Sequence, residues 1–250
     1  MTYSIALAGK GGTGKTTVCG LILDHLVKSG KGPILAVDAD ANSNLNEVLG
    51  VEKPVSLGEI REDVAHSENS GMSKQEYMDF RFDDALTEKE NYDLLVMGRT
   101  QGVGCYCFVN DVLKEQLRKY YKNYQYLIVD NEAGLEHISR GILPPVELIL
   151  LVSDCSRRGI QAAGRIAAMI VELGIKAQKV GLIVNRAPTE GQLAEGIKEE
   201  ITLQKLDLLG VLPNDPLVSE YDSAGTPLVN LPLESPVRQA LEKIIKSLEL

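Results

Sequence analysis

The sequence predicts a doubly wound α/β fold: a mostly parallel sheet with helices on both faces, in a single domain over residues 1–250. Short apolar runs rich in Ile, Leu and Val recur with little polar alternation, as in strands buried on both faces. Stretches with helical periodicity separate these runs, and such alternation is typical of a parallel sheet covered on both sides. Ligands of such folds bind at the carboxyl ends of the strands.

The pattern predicts seven strands and five helices. The strands are Tyr3–Ala8, Pro33–Val37, Tyr92–Met97, Tyr126–Val129, Val146–Val152, Lys179–Val184 and Leu208–Leu212. The helices are Lys15–Ser29, Asn110–Tyr121, Arg158–Leu173, Gln192–Leu203 and Pro236–Leu248. The polar stretch from Glu52 to Asn91, with helical patches at Ser56–Val64 and Lys74–Phe82, is interpreted as an insertion or cap over the sheet edge.

Composition limits the possible partners. The chain has 250 residues, 44% of them hydrophobic, with 26 Lys and Arg against 35 Asp and Glu, a net charge of −9. This acidic balance argues against nucleic-acid binding. The sequence has no continuous apolar run of the roughly 18 residues that span a bilayer, and its start lacks the basic region of a secretory signal. We therefore expect a cytoplasmic protein with no nucleic-acid partner and no membrane partner.

A phosphate-binding loop is predicted after the first strand. The segment Gly9–Thr16 reads G-K-G-G-T-G-K-T and matches G-x-x-x-x-G-K-[ST] between a strand and a helix, so the sequence indicates a P-loop NTPase. The glycines let backbone N–H groups face phosphate oxygens. Lys15 is expected to reach the β- and γ-phosphates and the Thr16 hydroxyl to bind Mg²⁺. The predicted nucleotide-binding residues of this region are Gly11, Gly12, Thr13, Gly14, Lys15, Thr16 and Thr17.

Carboxylates follow two other strands. Asp38 and Asp40 follow the second strand, where they can hold waters of Mg²⁺ and orient an attacking water. Carboxylates also commonly cap helices, which is the alternative role for Asp38. Asp130 closes the fourth strand, as in a Walker B arrangement that meets Mg²⁺ through water. Gly134 is expected to let the following segment swing toward the γ-phosphate.

Two cysteines form a C-x-C pair after the third strand, in Gly104-Cys105-Tyr106-Cys107. Two thiolates suit a soft or borderline metal such as Zn²⁺, Ni²⁺ or Cu(I). One chain would half fill a tetrahedral site, and two subunits related by a twofold axis would complete it. A redox pair or two packing cysteines is the alternative. Cys19 and Cys155 are expected to be structural.

The extra lysine of the loop, Lys10, resembles the deviant Walker A motif of the MinD/ParA/nitrogenase iron protein class of dimeric ATPases. The resemblance implies that Lys10 of one subunit reaches the phosphates held by the other. It also implies that Asp40 positions the attacking water and that Asp38 lies close to the metal shell. ATP and ADP are therefore the expected nucleotides.

The same resemblance implies an adenine site. In this class an asparagine that ends a later strand contacts the adenine edge, as expected for Asn185 with its neighbour Arg186. A Pro-x-Asp turn then lies beside the base, which Pro213 and Asp215 match. The Asn-Lys-x-Asp signature of guanine sites does not occur, which favours adenine.

Four motifs taken together resemble the CooC/AcsF type of ATPase, which helps to load nickel into carbon monoxide dehydrogenase or acetyl-CoA synthase. They are G-K-G-G-T-G-K-T, D-A-D-A-N, G-C-Y-C and D-N-E-A-G-L-E-H-I-S-R, in this order. The resemblance implies an ATP-hydrolysing homodimer, with Cys105 and Cys107 of both subunits binding one Ni²⁺ or Zn²⁺ at the interface. It also implies carbon monoxide dehydrogenase or acetyl-CoA synthase as the client enzyme.

Two other functions fit parts of the sequence. A MinD/ParA-type spatial organiser, a switch that binds a membrane or DNA, would need a basic amphipathic tail to bind a membrane, and Ser235–Leu250 is the candidate segment. The basic residues of that segment are offset by acidic ones, which favours packing against the sheet. An iron–sulfur carrier like the nitrogenase iron protein would need a cysteine between Asp130 and Arg140, where the sequence has none.

Overall fold

The computed structural model describes residues 2–66, 74–99, 107–188 and 191–250. In these residues eight strands form one sheet, in the order β3-β4-β2-β5-β1-β6-β7-β8. All neighbouring strands are parallel except β3 and β4. The strands are β1 (Tyr3–Ala8), β2 (Ile34–Ala39), β3 (Leu86–Glu88), β4 (Tyr92–Val96), β5 (Tyr126–Asn131), β6 (Val146–Asp154), β7 (Ala177–Ala187) and β8 (Leu208–Pro213). The predicted doubly wound, mostly parallel sheet is confirmed.

Helices cover both faces of this sheet. They are α1 (Lys15–Lys28), α2 (Leu45–Leu49), α3 (Leu57–His66), α4 (Lys74–Ala85), α5 (Cys107–Tyr120), α6 (Glu136–Ser139), α7 (Arg157–Glu172), α8 (Glu195–Leu203), α9 (Pro216–Ser223) and α10 (Pro236–Ser247). Alternate residues of each strand face opposite sides. Ile5 and Leu7 of β1 pack in the cluster that contains α1 and α10, whereas Ala6 and Ala8 pack in the cluster that contains α7 and α8.

The polar stretch after Glu52 contributes to the core. Leu57 and Ile60 of α3 and Phe82 and Ala85 of α4 are buried against β2, β4 and β5. The short strand β3 also belongs to this stretch and extends the sheet by antiparallel pairing with β4. This stretch therefore packs on one face of the sheet and adds an antiparallel strand beside β4.

The C-terminal helix α10 packs on the protein. Val237, Leu241, Ile244 and Ile245 are buried in the cluster that includes α1. This is the packing that the balanced charges of the segment predict. No helix in the described parts of the chain is both long and apolar enough to cross a bilayer.

Candidate nucleotide site

The phosphate loop connects the end of β1 to the start of α1. Gly14 precedes α1 and has a φ of 91°, in the left-handed region that favours glycine. A Cβ at this position would lie 2.4 Å from Nδ2 of Asn185, too close for any side chain. The loop therefore needs glycine at position 14 both for its backbone conformation and for its packing.

The amino end of α1 is suited to an anion. Among the described residues no side chain caps this end by a hydrogen bond, and the first turn contains no acidic residue. The unpaired N–H groups and the helix dipole at such an end attract phosphate. The helix thus adds to the attraction that the loop itself exerts.

The two lysines of the loop differ in exposure. Lys15 is buried, and its Nζ donates to the carbonyl of Lys10 at 3.4 Å. The hydroxyl of Thr13 donates to the same carbonyl at 2.9 Å. The side chain of Lys10 is exposed. Lys15 is therefore placed inside the loop, whereas Lys10 lies on the surface, where a second molecule can reach it.

Two carboxylates face each other beside the loop. Asp38 of β2 and Asp130 of β5 are register partners on neighbouring parallel strands, and both are fully buried. Side chains in register on such strands lie on the same face, about 5 Å apart. Burial, followed by the charge of Asp130, raises the pKa of Asp38 to about 7, although backbone N–H groups of Leu45 and Asp40 lower it.

The partner carboxylate is also shifted. Burial raises the pKa of Asp130 to about 6, with the hydroxyl of Thr16 and the ammonium of Lys15 acting in the opposite direction. Within the described residues, Oδ1 of Asp130 is buried and has no hydrogen-bond partner. Two buried carboxylates next to a hydroxyl are hard oxygen donors, which Mg²⁺ prefers. The residues present therefore fit this ion.

The loop after β2 is tightly hydrogen-bonded. Oδ1 of Asp38 accepts from the N–H of Asp40 at 3.1 Å, and Oδ2 accepts from the N–H of Leu45, the first residue of α2, at 2.9 Å. Asp38 therefore binds the amino end of α2, the alternative role that carboxylates of this kind can have, and it also contributes negative charge beside Asp130. Asp40 lies two residues further on, partly exposed.

The segment after β5 is joined to the phosphate loop. The N–H of Gly134 donates to the carbonyl of Gly9 at 3.2 Å, and Gly134 has a φ of 103°. Asn131, the last residue of β5, donates from Nδ2 to the carbonyl of Leu7 at 2.9 Å. The end of the Asp130 strand is thus fixed against β1 and the start of the loop.

The end of β7 braces the loop from the other side. Nδ2 of Asn185 donates to the carbonyl of Thr13 at 3.0 Å, and Nη1 of Arg186 donates to the carbonyl of Gly12 at 3.1 Å. Arg186 has a φ of 57°, an uncommon conformation for this residue type. The resemblance implies an adenine contact for Asn185, with Arg186 as its neighbour in the nucleotide site, and the structure adds that both side chains hold the phosphate loop.

A cavity of about 380 Å³ lies beside this brace. Its lining includes Thr17, Asn185, Arg186, Pro213, Asn214 and Asp215. Asp215 caps α9, because it accepts from the N–H of Leu217 at 3.0 Å and from the hydroxyl of Ser235 at 2.5 Å. The Pro-x-Asp turn therefore forms a wall of the cavity, while the carboxylate of Asp215 is bound within the protein.

The predicted metal ligands cannot be placed in the same way. Cys105 lies outside the described residues, and Cys107 is described only as the first residue of α5. Among the described residues, no three His, Cys, Asp or Glu side chains are grouped to hold a metal ion. Cys19 is buried in the core, and Sγ of Cys155 donates to the carbonyl of Asn185 at 3.6 Å.

Most of the predicted nucleotide-binding residues therefore lie together at the carboxyl ends of the strands. Sequence reasoning missed Asn42 and Arg99, whose side chains are joined by a hydrogen bond beside Asp40. One signal was available for Arg99, which follows the carboxyl end of a parallel strand. Asn42 is part of the D-A-D-A-N motif but was given no role.

The fold, together with the site at the carboxyl ends of its strands, defines a P-loop nucleotide-binding protein. Residues 4–228 match the CobQ/CobB/MinD/ParA nucleotide-binding domain, and the chain belongs to this family.

Three comparisons illustrate the range of its relatives. An uncharacterized ATP-binding protein of Methanocaldococcus jannaschii is 38% identical over 250 residues, covering 98% of this chain and 97% of that protein. The carbon monoxide dehydrogenase accessory protein CooC of Rhodospirillum rubrum is 31% identical, covering 88% and 87%. The crystal structure of the cell division ATPase MinD from Pyrococcus furiosus has a TM-score of 0.72 at 25% identity, covering 100% of this chain and 99% of that one.

Proposed function

We propose that this protein is an ATP-hydrolysing homodimer that promotes nickel insertion into carbon monoxide dehydrogenase or acetyl-CoA synthase. In this proposal Cys105 and Cys107 of both subunits bind one Ni²⁺ or Zn²⁺ at the interface. The nucleotide part rests on the buried pair of Asp38 and Asp130 beside the phosphate loop. The metal part is supported by the C-x-C pair and by the 31% identity to CooC.

ATP binds with its phosphates on the loop N–H groups, the amino end of α1 and Lys15. The Thr16 hydroxyl and Asp130, with Asp38 beside it, would hold Mg²⁺, which would neutralise charge on the β- and γ-phosphates. The cavity lined by Asn185 and the Pro213–Asp215 turn takes the adenine.

Hydrolysis needs a positioned water and a second subunit. Asp40 orients a water whose oxygen bonds to the γ-phosphorus as the bond from that phosphorus to the bridging oxygen of ADP breaks. One proton of the water stays on the new phosphate, the other passes to the phosphate or to solvent, and ADP and phosphate are released. Lys10 of one subunit stabilises the charge on the phosphoryl group held by the other. Its exposure leaves it accessible for this contact.

Nucleotide and metal are then coupled through the dimer. ATP draws the two subunits together, and this movement changes how well four sulfurs fit one ion. ATP hydrolysis thereby determines when the metal is bound and when it is released. Because the ligands are thiolates, acid protonates them and also releases the metal.

Two observations weigh against the rival functions. The apolar stripe of α10 is buried against the protein, which removes the one candidate for a membrane-binding tail that the sequence offers. The segment from Asp130 to Arg140 contains no cysteine for a cluster of the nitrogenase iron protein type.

The test measures the metal content of the purified wild type and of variants in which cysteines are replaced by serine. We expect the wild type to bind one Ni²⁺ or Zn²⁺ per dimer, and the double variant Cys105→Ser/Cys107→Ser to bind none while keeping its ATP affinity within about twofold. Cys155→Ser is the matched control and should retain the metal. A double variant that still binds one ion per dimer would show that the site assignment is wrong.

A further inference from the structure

A relay of side chains ties the loop after β2 to the end of β4. Oδ1 of Asp40 accepts two hydrogen bonds from Asn42, at 2.8 Å from its backbone N–H and at 3.1 Å from Nδ2. Oδ1 of Asn42 in turn accepts a hydrogen bond from Nη2 of Arg99. The guanidinium of Arg99 therefore orients the amide of Asn42, and the amide orients the carboxylate of Asp40.

The relay is specific in its geometry. Within the described residues, Oδ1 is the oxygen of Asp40 that these hydrogen bonds occupy, which leaves Oδ2 for a water. An arginine has no acceptor and an amide oxygen has no proton, so the direction of each hydrogen bond is fixed. Rotation of the Asn42 amide would break both of its side-chain contacts at once.

The backbone beneath Arg99 is held on two sides. The N–H of Met97 donates to the carbonyl of Asp38 at 2.8 Å, and the N–H of Gly58 donates to the carbonyl of Met97 at 2.9 Å. A Cβ on Gly58 would lie 2.3 Å from the carbonyl oxygen of Arg99, so only glycine permits this approach of α3. Arg99 thus has a fixed backbone, while its exposed side chain extends to Asn42.

We propose that Asn42 and Arg99 are positioning residues for Asp40, the residue proposed to orient the attacking water. The inference rests on the proposed function, which assigns the water to Asp40. A small misplacement of a catalytic group lowers the rate strongly. Because neither residue is assigned to nucleotide binding, its loss lowers kcat and leaves the KM for ATP unchanged.

The test of this positioning role compares the steady-state kinetics of ATP hydrolysis by Arg99→Ala, Asn42→Ala and the double variant. We expect each single variant to lower kcat about tenfold with KM within about twofold, and the double variant to be no worse than the more severe single variant. Arg99→Lys should recover part of the loss, because an ammonium can still donate to Asn42. Arg165→Ala, an exposed arginine on α7, is the matched control and should keep the wild-type kcat.

An unaltered kcat in Arg99→Ala, or multiplicative losses of kcat in the double variant, would overturn the inference alone. A wild type that binds ATP but does not hydrolyse it would instead overturn the proposed function, and the inference with it.

Discussion

Asp38 and Asp130 lie opposite each other on neighbouring parallel strands, buried near the carboxyl ends of these strands beside the phosphate loop. Two like charges held away from water destabilise a protein unless a cation or a proton accompanies them. Burial raises the pKa of Asp38 to about 7 and that of Asp130 to about 6, and the charge of Asp130 adds to the shift of Asp38, so each carboxyl group retains its proton more readily than in water. We interpret the pair as a place for a bound cation next to phosphate.

Replacing Asp130 by Asn should stabilise the nucleotide-free protein more at pH 8 than at pH 5. The pKa of Asp130 is raised from 3.8 to about 6. The contribution of its carboxyl group to the free energy of unfolding is therefore fully present below about pH 3.8, and it is lost as the pH rises through about 6. The full effect is of the order of 3 kcal/mol. Thermal unfolding in EDTA measures it, with the exposed Asp207→Asn as control. An equal gain at both pH values would contradict the interpretation.

The glycine before α1 should be irreplaceable. Gly14→Ala places a Cβ 2.4 Å from Nδ2 of Asn185 and forces alanine to a φ of 91°. We expect a loss of about 3 kcal/mol in the free energy of unfolding and at least about tenfold weaker ATP binding. Gly174 has a φ of 63° but open space around it, so Gly174→Ala should cost about 1 kcal/mol and leave ATP binding unchanged. Urea unfolding and calorimetric titration test both variants.

The two loop lysines should have different roles. We expect Lys15→Ala to lose ATP binding, and Lys10→Ala to bind ATP but to hydrolyse it at least about tenfold more slowly. An equal mixture of Lys10→Ala and Asp40→Ala should regain up to about a quarter of wild-type activity, because with random pairing half of the dimers are mixed and one of their two sites is complete. A mixture without activity would indicate that Lys10 acts within its own subunit.

The contact between α1 and α10 should be a main source of stability. Nη1 of Arg238 lies 2.6 Å from Oδ2 of Asp24, with 8% and 11% of the two side chains exposed. Arg238→Met leaves Asp24 buried beside Lys28 alone, and we expect a loss of about 3 kcal/mol by urea unfolding. The exposed pair of Lys246 and Glu242 offers the control, since Lys246→Ala should leave the free energy of unfolding nearly unchanged. Similar losses in both variants would mean that burial of the first pair is unimportant.

The sequence predicted the sheet and the phosphate loop because both depend on local patterns. The run from Tyr3 to Ala8 is apolar throughout, and the loop motif follows it directly. The strand β3 escaped prediction because it has three residues, two of them polar, and depends on pairing with β4. The five-residue helix α2 was too short for helical periodicity to reveal it.

Contacts between distant residues account for what the sequence missed at the site. Arg186 and Gly12 are 174 residues apart, and Arg99 and Asn42 are 57 apart. Such pairs meet because parallel strands bring their carboxyl ends to one edge, and the exact partners depend on the register. The motif could indicate adenine for Asn185, but only packing reveals its hydrogen bond to Thr13.

The most direct test of the account is the affinity for Ni²⁺ in two nucleotide states. It is measured by competition with a chromophoric chelator, in a non-hydrolysable ATP analogue and in ADP, for the wild type and for Lys10→Ala. We predict at least about a tenfold difference between the two states in the wild type, because dimer closure changes the fit of four sulfurs, and no difference in Lys10→Ala. Equal affinities in a wild type that dimerises and hydrolyses ATP would contradict the coupling of nucleotide to metal.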